Sequence, residues 1–304
     1  MHTEMIPTNM YYHRILDEAD AAARKQLYLD LFVQPWKPMM DMLRMQMPGA
    51  ADDDLAGARV WNWLLPDQTG QMAALLETLE AADAWAVSAG AIRRAAECFA
   101  PYASRIPMDT VTGWLVLGDT SRAQSFERGY TGAVDWTQPR FLGQFWDVNE
   151  DNLPRLPGLV AHEMHHLIRL RAFPWGMNTS VADYIIIEGT AEAFAASLFG
   201  EQSVGWFITE FEPRGFEDAR RLIGANLHAT GFDVIRGYIF GDALAEQWGF
   251  RAAGGMPNYG GYTIGYQVVK AFLERTGKSI EETTFLPAAE IIEGSGFFEK
   301  SAQP

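Results

Sequence analysis

The amino-acid sequence predicts an α+β fold in which helices precede and follow a small group of strands. Apolar residues recur at helical spacing through much of residues 1–108. Between residues 109 and 151, β-branched and aromatic residues replace that pattern, so two or three strands are expected there. Helical spacing returns after residue 152. Because the helices and strands are segregated along the chain, we expect an α+β protein rather than repeated βαβ units.

The order of these patterns divides the chain into a helical amino-terminal region (1–108) and a second domain (109–304). An acidic loop is expected at residues 50–54, and Asn152 or Asp151 is expected to cap the helix that contains Pro154. The remaining elements predicted with defined ends are helices at 17–32, 71–82, 91–99 and 181–198, a helix ending near residue 171, and strands at 110–118 and 141–146.

Composition excludes several functional classes. The 304 residues carry a formal net charge of −15, without a Lys/Arg-rich run, which argues against nucleic-acid binding. The single cysteine, Cys98, excludes a Cys-rich zinc finger. No apolar run is long enough to span a membrane, and the first residues lack the pattern of a secretory signal. We therefore expect a cytoplasmic protein with no membrane partner.

The sequence His-Glu-Met-His-His at residues 162–166 predicts a metal site. His162 and His166 are four residues apart, so both imidazoles project from one face of a helix and can share a zinc ion at about 2 Å. Glu163 lies about 100° further round the helix, where it can take a proton from an attacking water and pass it to the leaving amine.

The competing interpretation is a solvated helix that merely contains histidine and glutamate. The apolar residues around the motif argue for a buried helix, where polar groups need partners; these are Leu156, Leu159, Val160, Met164 and Leu167. His165 points away from the face shared by His162 and His166. A supporting or packing role is therefore expected for His165.

A catalytic zinc ion needs a third protein ligand and one open position. Glu188 follows three isoleucines, a setting in which a carboxylate without a partner would be costly. Gly189 allows another backbone to approach. Glu192, one turn further on, can accept a hydrogen bond from the far nitrogen of a ligand histidine. We favour Glu188 as the ligand, although the roles of the two glutamates could be exchanged.

These motifs resemble those of gluzincin metalloproteases, and more narrowly those of a bacterial family of predicted zinc-dependent proteases. The resemblance lies in Ala161 to His166, in Glu-Gly-x-Ala-Glu at 188–192, and in Gly-Tyr-x-x-Gly-Tyr at 261–266, and it covers about residues 110–285. It implies a zincin-like domain, in which an edge strand lies over a pair of metal-binding helices. It also implies Glu188 as the third Zn²⁺ ligand and Glu163 as the general base.

The resemblance further implies a tyrosine or histidine that stabilises the oxyanion of the reaction. Tyr262 and Tyr266 are the candidates, and Tyr262 is preferred; the competing interpretation makes both core aromatics. It also implies that residues 111–118 form the edge strand that pairs with an extended peptide or protein substrate.

Two other functions fit the same residues. Some members of the resembling family are described as regulators of heat-shock genes, so the chain could bind zinc and control a partner by contact. An intact Glu163 argues against that alternative, because a structural site needs no general base. The third alternative is a zinc hydrolase that cleaves a different bond. The physiological substrate, endo- or exo-cleavage, the role of residues 1–108 and the oligomeric state are left open by the sequence.

Overall fold

The computed structural model describes residues 1–45, 53–122 and 128–299. Residues 50–52 of the predicted acidic loop therefore lie outside the described residues. None of the described helices is both long and apolar enough to cross a membrane. The fold is mixed, with a small four-stranded sheet and many helices, and is consistent with the predicted α+β, zincin-like architecture.

The structure divides into two compact units. The first contains Met1–Ala96 and Met108–Met164, and the second contains Glu97–Pro107 and His165–Pro304. The boundaries of these units differ from the predicted division at residue 108. The first residues of the chain form a strand that pairs with β-strand residues after 108, so both segments belong to the first unit. Whether residues 1–108 form a separate folding domain stays a prediction.

The first unit combines the sheet with the amino-terminal helices. Its strands are β1 (His2–Met5), β2 (Thr110–Leu117), β3 (Tyr130–Val134) and β4 (Arg140–Phe145). Its helices are α1 (Thr8–Asp17), α2 (Ala21–Tyr28), which continues into a π-helical segment at Leu29–Val33, α3 (Gln34–Met45), α4 (Ala56–Val60), α5 (Thr69–Ala81) and most of α6 (Ala84–Cys98).

The second unit is helical. Its longer segment begins within α7 (Leu156–Ala172) and continues through α8 (Val181–Phe199), α9 (Trp206–Thr209), α10 (Phe216–Ala225), α11 (Phe232–Phe240), α12 (Asp242–Gln247), α13 (Gly260–Thr276), α14 (Ile280–Thr283) and α15 (Ala288–Ser295). The boundary between the units falls inside α7, which is one continuous helix.

The sheet has the strand order β1-β2-β4-β3. Strand β2 pairs in parallel with β1 on one side and with β4 on the other, whereas β3 pairs antiparallel with β4. The prediction that residues 111–118 form the edge strand is therefore wrong. It failed because β1, which was not predicted, covers one side of β2, so that β1 and β3 are the edges of the described sheet.

Several predicted elements are confirmed, among them α5, α8, β2 and β4. The helix expected at 17–32 is instead interrupted, because the carboxylate of Asp20 accepts hydrogen bonds from the backbone N–H groups of Ala22 and Ala23 and begins α2 there. The helix expected at 91–99 begins earlier, at Ala84.

The predicted cap of the motif helix is also wrong. A short 3-10 turn occupies Leu153–Arg155, and α7 begins at Leu156. The Asn152 side chain donates hydrogen bonds to the carbonyl oxygens of Arg128 and Asp147, at 2.9 Å each. It therefore holds the preceding loop rather than the helix.

Candidate metal centre

Helix α7 carries the His-Glu-Met-His-His motif in buried surroundings, as its apolar flanks predict. Val160, Met164 and Ile168 are almost completely excluded from solvent. Arg169 and Arg171 lie in the last turn, where positive charge favours the carboxyl end of a helix. A buried helix is held rigidly by its packing, so the histidine side chains project from a fixed backbone.

Helix α8 supplies the carboxylate. Its first turn is closed by a capping box, in which the Ser180 hydroxyl accepts from the Asp183 N–H and the Asp183 carboxylate accepts from the Ser180 N–H. The helix is then buried almost continuously from Tyr184 to Ala195. Glu188 is 6 % exposed in this apolar environment.

His162, His166 and Glu188 are brought together by the fold. One ligand atom of each lies within 4.8 Å of the other two, and all three residues are buried. Nε2 of His166 is 3.3 Å from Oε2 of Glu188. A carboxylate and two imidazoles converge at one point, and such a group can hold a metal ion.

The geometry of this group suits zinc. Two atoms that each lie about 2.1 Å from a tetrahedral zinc ion are separated by about 3.4 Å, which agrees with the 3.3 Å between His166 and Glu188. Two histidines and one carboxylate leave one tetrahedral position open, as catalytic zinc sites do. The donor set of this chain therefore fits Zn²⁺, and His162, His166 and Glu188 are the residues that would hold it.

The side chain of Glu163 is buried against the backbone of β3. A methyl group built on Gly132, in the middle of β3, would lie 2.6 Å from the carboxyl carbon of Glu163. Glu163 is 5 % exposed. The carboxylate is thus confined between its own helix and a sheet-edge strand, immediately next in sequence to His162.

Comparison with known proteins agrees with this geometry. Residues 84–293 match the family described as "Predicted Zn-dependent protease (DUF2268)", a match that covers more than half of the chain. The chain belongs to this family. The resemblance that the motifs indicate is therefore confirmed at the level of the family, whose description is itself a prediction of protease activity.

A curated relative is similar to this chain over a long segment. It is the "Uncharacterized protein YjfC" of Bacillus subtilis (strain 168), which is 35 % identical over 185 residues. That segment is 60 % of this chain and spans 60 % of the length of the relative. No solved structure matches the chain.

The two tyrosines that the sequence predicts as oxyanion donors, Tyr262 and Tyr266, have different surroundings. The Tyr266 hydroxyl donates a 2.6 Å hydrogen bond to Glu201, and that bond lowers the pKa of Glu201. The Tyr262 hydroxyl has no hydrogen-bonding partner among the described residues. Burial, followed by the charge of Glu188, raises the pKa of Tyr262 well above its ordinary value. The charge of Glu188 therefore acts on Tyr262, whereas the charges that act on Tyr266 are those of Glu201 and Glu192.

Tyr184 is a third tyrosine that the charge of Glu188 affects, and it was not among the site residues predicted from the sequence. Its pKa is raised mainly by burial and further by the charge of Glu188, whereas Arg236 opposes the shift. The available signal was its spacing, because Tyr184 stands four residues before Glu188 on α8 and so shares its face. Gly132 was also missed, and nothing in its local sequence marks it.

Glu192 lies on α8 one turn after Glu188, and it is buried. Its carboxylate accepts a 2.9 Å hydrogen bond from the N–H of Gly205. This contact fixes the chain after α8, and the group of three converging ligand atoms does not include Glu192. The predicted hydrogen bond from Glu192 to a ligand histidine stays a prediction.

His165 packs in the interior, as expected. Its ring lies 5.5 Å from that of Phe194 and 6.2 Å from that of Phe99. Its Nε2 is 2.9 Å from the Thr284 hydroxyl, which itself donates to the carbonyl oxygen of Ile280. The imidazole Nε2 is therefore the donor to Thr284, and this bond anchors α7 away from the metal-binding face.

Proposed function

We propose that this protein is a zinc-dependent peptidase of the gluzincin type. The observation that carries the proposal is the buried convergence of His162, His166 and Glu188, with Glu163 next to His162 on the same helix. When bound, Zn²⁺ supplies Lewis acidity, which polarises the peptide carbonyl and makes water acidic enough to attack it near neutral pH.

The chain's own residues perform the proton transfers in this proposal. Glu163 takes a proton from the attacking water and gives it to the amine that leaves. Its burial against β3 keeps the carboxylate in one orientation, and orientation is a large part of what a general base contributes. Tyr262, whose pKa responds to the charge of Glu188, donates its hydroxyl to the oxyanion that develops on the peptide carbonyl.

The proposed substrate is a peptide in an extended conformation. Strand β3 is an edge of the described sheet, and its backbone passes directly beside Glu163. An edge strand offers unpaired N–H and C=O groups to an added strand. We therefore assign to β3 the substrate-pairing role that the resemblance implies for an edge strand.

The decisive experiment compares zinc content and proteolysis in the unmodified protein and four variants. Casein serves as an unstructured substrate, and zinc per chain is measured after zinc-replete preparation. We expect about one zinc per chain in the unmodified protein and in Glu163→Gln, with the cleavage rate of Glu163→Gln lower by roughly 10²–10⁴-fold. His166→Ala and Glu188→Gln should lose both zinc and activity.

Glu192→Gln is the matched control for Glu188→Gln, because both glutamates are buried on α8. It should retain zinc; loss of zinc in Glu192→Gln but not in Glu188→Gln would exchange their roles. Stoichiometric zinc without cleavage of casein by any form would favour the regulator alternative. Absence of zinc from the unmodified protein would overturn the proposal.

A further inference from the structure

Arg236 lies on α11 and is held in place by aromatic rings. Its guanidinium is 4.1 Å from the ring centre of Phe232, 4.9 Å from that of Phe250 and 5.7 Å from that of Phe240. Contacts of this kind between a guanidinium and the face of an aromatic ring are attractive and restrict the side chain. The position of this positive charge is therefore fixed before any ligand binds.

The residues that the structure describes provide no carboxylate partner for Arg236. Its Nε has no hydrogen-bond acceptor, and none of its nitrogens forms an ion pair within those residues. Asp233, one turn earlier on α11, lies 3.5 Å from Arg251 instead. Arg105 and Arg169 also lie over aromatic rings, but each donates to a backbone carbonyl oxygen, whereas no acceptor is recorded for Arg236 in the described residues. The terminal nitrogens of its planar guanidinium can therefore pair with a carboxylate that arrives with a ligand.

Arg236 belongs to the surroundings of the metal-binding group. The ring of Phe240 lies 5.9 Å from that of Tyr262 and 6.5 Å from that of Tyr184. The charge of Arg236 opposes the raised pKa of both tyrosines, while the charge of Glu188 adds to it. Both tyrosines are thus within electrostatic reach of Arg236 and of Glu188.

An apolar cavity adjoins the same residues. It has a volume of about 210 Å³, and its lining includes Phe232 and Ile235 of α11 together with Trp175. The Trp175 ring meets that of Tyr184 at 4.8 Å in an edge-to-face contact. The cavity therefore lies between the Phe232 ring that supports Arg236 and the Trp175 ring that contacts Tyr184. Its size suits one aliphatic or aromatic side chain.

We propose that Arg236 binds a carboxylate of the peptide substrate and that this cavity receives an apolar side chain beside it. Arg236 is then the residue that selects the substrate. The carboxylate comes either from the carboxyl terminus of the peptide or from an aspartate or glutamate side chain. This proposal rests on the proposed peptidase function, because it names the substrate of that site.

The test uses three pools of randomised hexapeptides. The first has a free carboxyl terminus and lacks aspartate and glutamate, the second has the same composition with an amidated terminus, and the third is amidated but contains aspartate and glutamate. Binding of each pool to the zinc-loaded Glu163→Gln protein is measured by retention and mass spectrometry. Cleavage of each pool by the zinc-loaded protein with Glu163 intact is measured in parallel.

Arg236→Gln removes the charge and keeps the length of the side chain, and it is made in both backgrounds. Arg236→Lys keeps the charge without the planar fork. Arg220→Gln is the matched control, because Arg220 is also half-buried and lies over an aromatic ring, that of Phe297, at 5.5 Å. A circular dichroism melt of each variant shows whether it is folded.

We expect at least one carboxylate-bearing pool to bind and to be cleaved about tenfold or more better than the neutral amidated pool. Which pool shows the preference identifies the source of the carboxylate. Arg236→Gln should abolish the preference mainly through KM, Arg236→Lys should restore part of it, and Arg220→Gln should leave it intact. Peptides retained by Glu163→Gln should be enriched in apolar residues next to the carboxylate.

Equal binding of all three pools, or a preference that survives in folded Arg236→Gln, would overturn the assignment of Arg236. Failure of the peptidase function looks different. In that case no pool is cleaved by the zinc-loaded protein, whereas the binding measurement still reports whether Arg236 selects carboxylates.

Discussion

At the scale of single residues, the position of Glu163 depends on a residue that has no side chain. Gly132 of β3 pairs across the sheet with Gly143 of β4, and directly opposed residues of an antiparallel pair point their Cβ atoms to the same face. Methyl groups on this glycine pair would meet Glu163 and Leu159, which are four residues apart on α7. The paired glycines therefore allow α7 to lie close to the sheet, with Glu163 over the edge strand.

Gly132→Ala should displace the Glu163 carboxylate while leaving the metal ligands in place. The added methyl group would overlap the carboxylate itself, so we expect a fall in kcat of roughly 10²-fold, comparable to misplacing a catalytic group by about 1 Å. Zinc per chain should stay near one. Gly143→Ala is the control, because its methyl group would meet apolar side-chain atoms, namely the methyl groups of Leu159 and Leu115 at 3.2 and 3.3 Å and a ring carbon of Phe145 at 4.0 Å. Equal activities of the two variants would show that Glu163 is not confined by β3.

The two candidate tyrosines are distinguished by removing one hydroxyl at a time. Tyr262→Phe should lower kcat by roughly 10²–10³-fold, the usual loss when one donor to an oxyanion is removed. Tyr266→Phe removes a hydrogen bond to Glu201, so it should lower the free energy of unfolding by about 1 kcal/mol and leave kcat nearly unchanged. Steady-state kinetics and urea unfolding of both variants check these expectations. The reverse pattern would transfer the oxyanion role to Tyr266.

At the scale of elements, the position of Glu188, the proposed carboxylate ligand, depends on how closely α8 and α13 approach. A Cβ atom on Gly189 would overlap the carbonyl group of Gly265, and a Cβ atom on Gly265 would overlap the carbonyl oxygen of Ile185. The two helices therefore touch through their backbones. Glu188 directly precedes Gly189, and Tyr262 lies one turn before Gly265, so this contact brings together the two helix segments that carry them.

Gly189→Ala should push α8 and α13 apart and destabilise the protein. Overpacking of this kind costs about 1–3 kcal/mol, and a rigid backbone neighbour places the expected loss at the upper end. Gly90→Ala in α6 is a control for which we expect the opposite change in the free energy of unfolding. The added methyl group would have one near neighbour, an arginine side-chain nitrogen at 4.0 Å. Alanine there should stabilise the helix by about 0.5–1 kcal/mol. Urea unfolding of both variants measures the difference, and equal stability of Gly189→Ala and the unmodified protein would contradict the proposed contact.

The elements that the sequence predicted well are those whose signals are local. Apolar residues at helical spacing defined α8, β-branched and aromatic residues defined β2, and aromatic residues defined β4. Strand β1 has only four residues and is stabilised by pairing with β2, more than a hundred residues away. Its existence, and therefore the true edge of the sheet, depends on a long-range contact that no local pattern encodes.

In the candidate metal centre, too, local sequence signals predicted some features, whereas others depend on long-range contacts. The spacing of His162 and His166 and the apolar setting of Glu188 sufficed to predict three residues that converge in space. The surroundings of Tyr262 and Tyr266, the place of Gly132 beneath Glu163 and the aromatic support of Arg236 all depend on packing between distant segments. Such contacts become visible only when the tertiary structure is known.

At the scale of the whole molecule, metal binding should contribute directly to stability. A ligand that binds only the folded protein stabilises it by RT ln(1 + [L]/Kd), which is about 2.7 kcal/mol at a free concentration of 100 times Kd. His162 and His166 are separated by one turn of a helix, but Glu188 comes from a different helix. The complete group of ligands therefore exists only when α7 and α8 are packed together, so zinc should bind the folded state in preference to the unfolded chain.

We therefore expect zinc to raise the thermal midpoint Tm by roughly 5–10 °C at that concentration, and a chelator to reverse the rise. Glu163→Gln should show the full shift, because Glu163 is not among the converging ligands, whereas Glu188→Gln should show little of it. Differential scanning calorimetry with and without zinc measures each shift. The comparison separates ligation from catalysis, since Glu163→Gln is expected to lose activity but to keep the metal. An equal rise in Glu188→Gln and in the unmodified protein would place the stabilising zinc at another site.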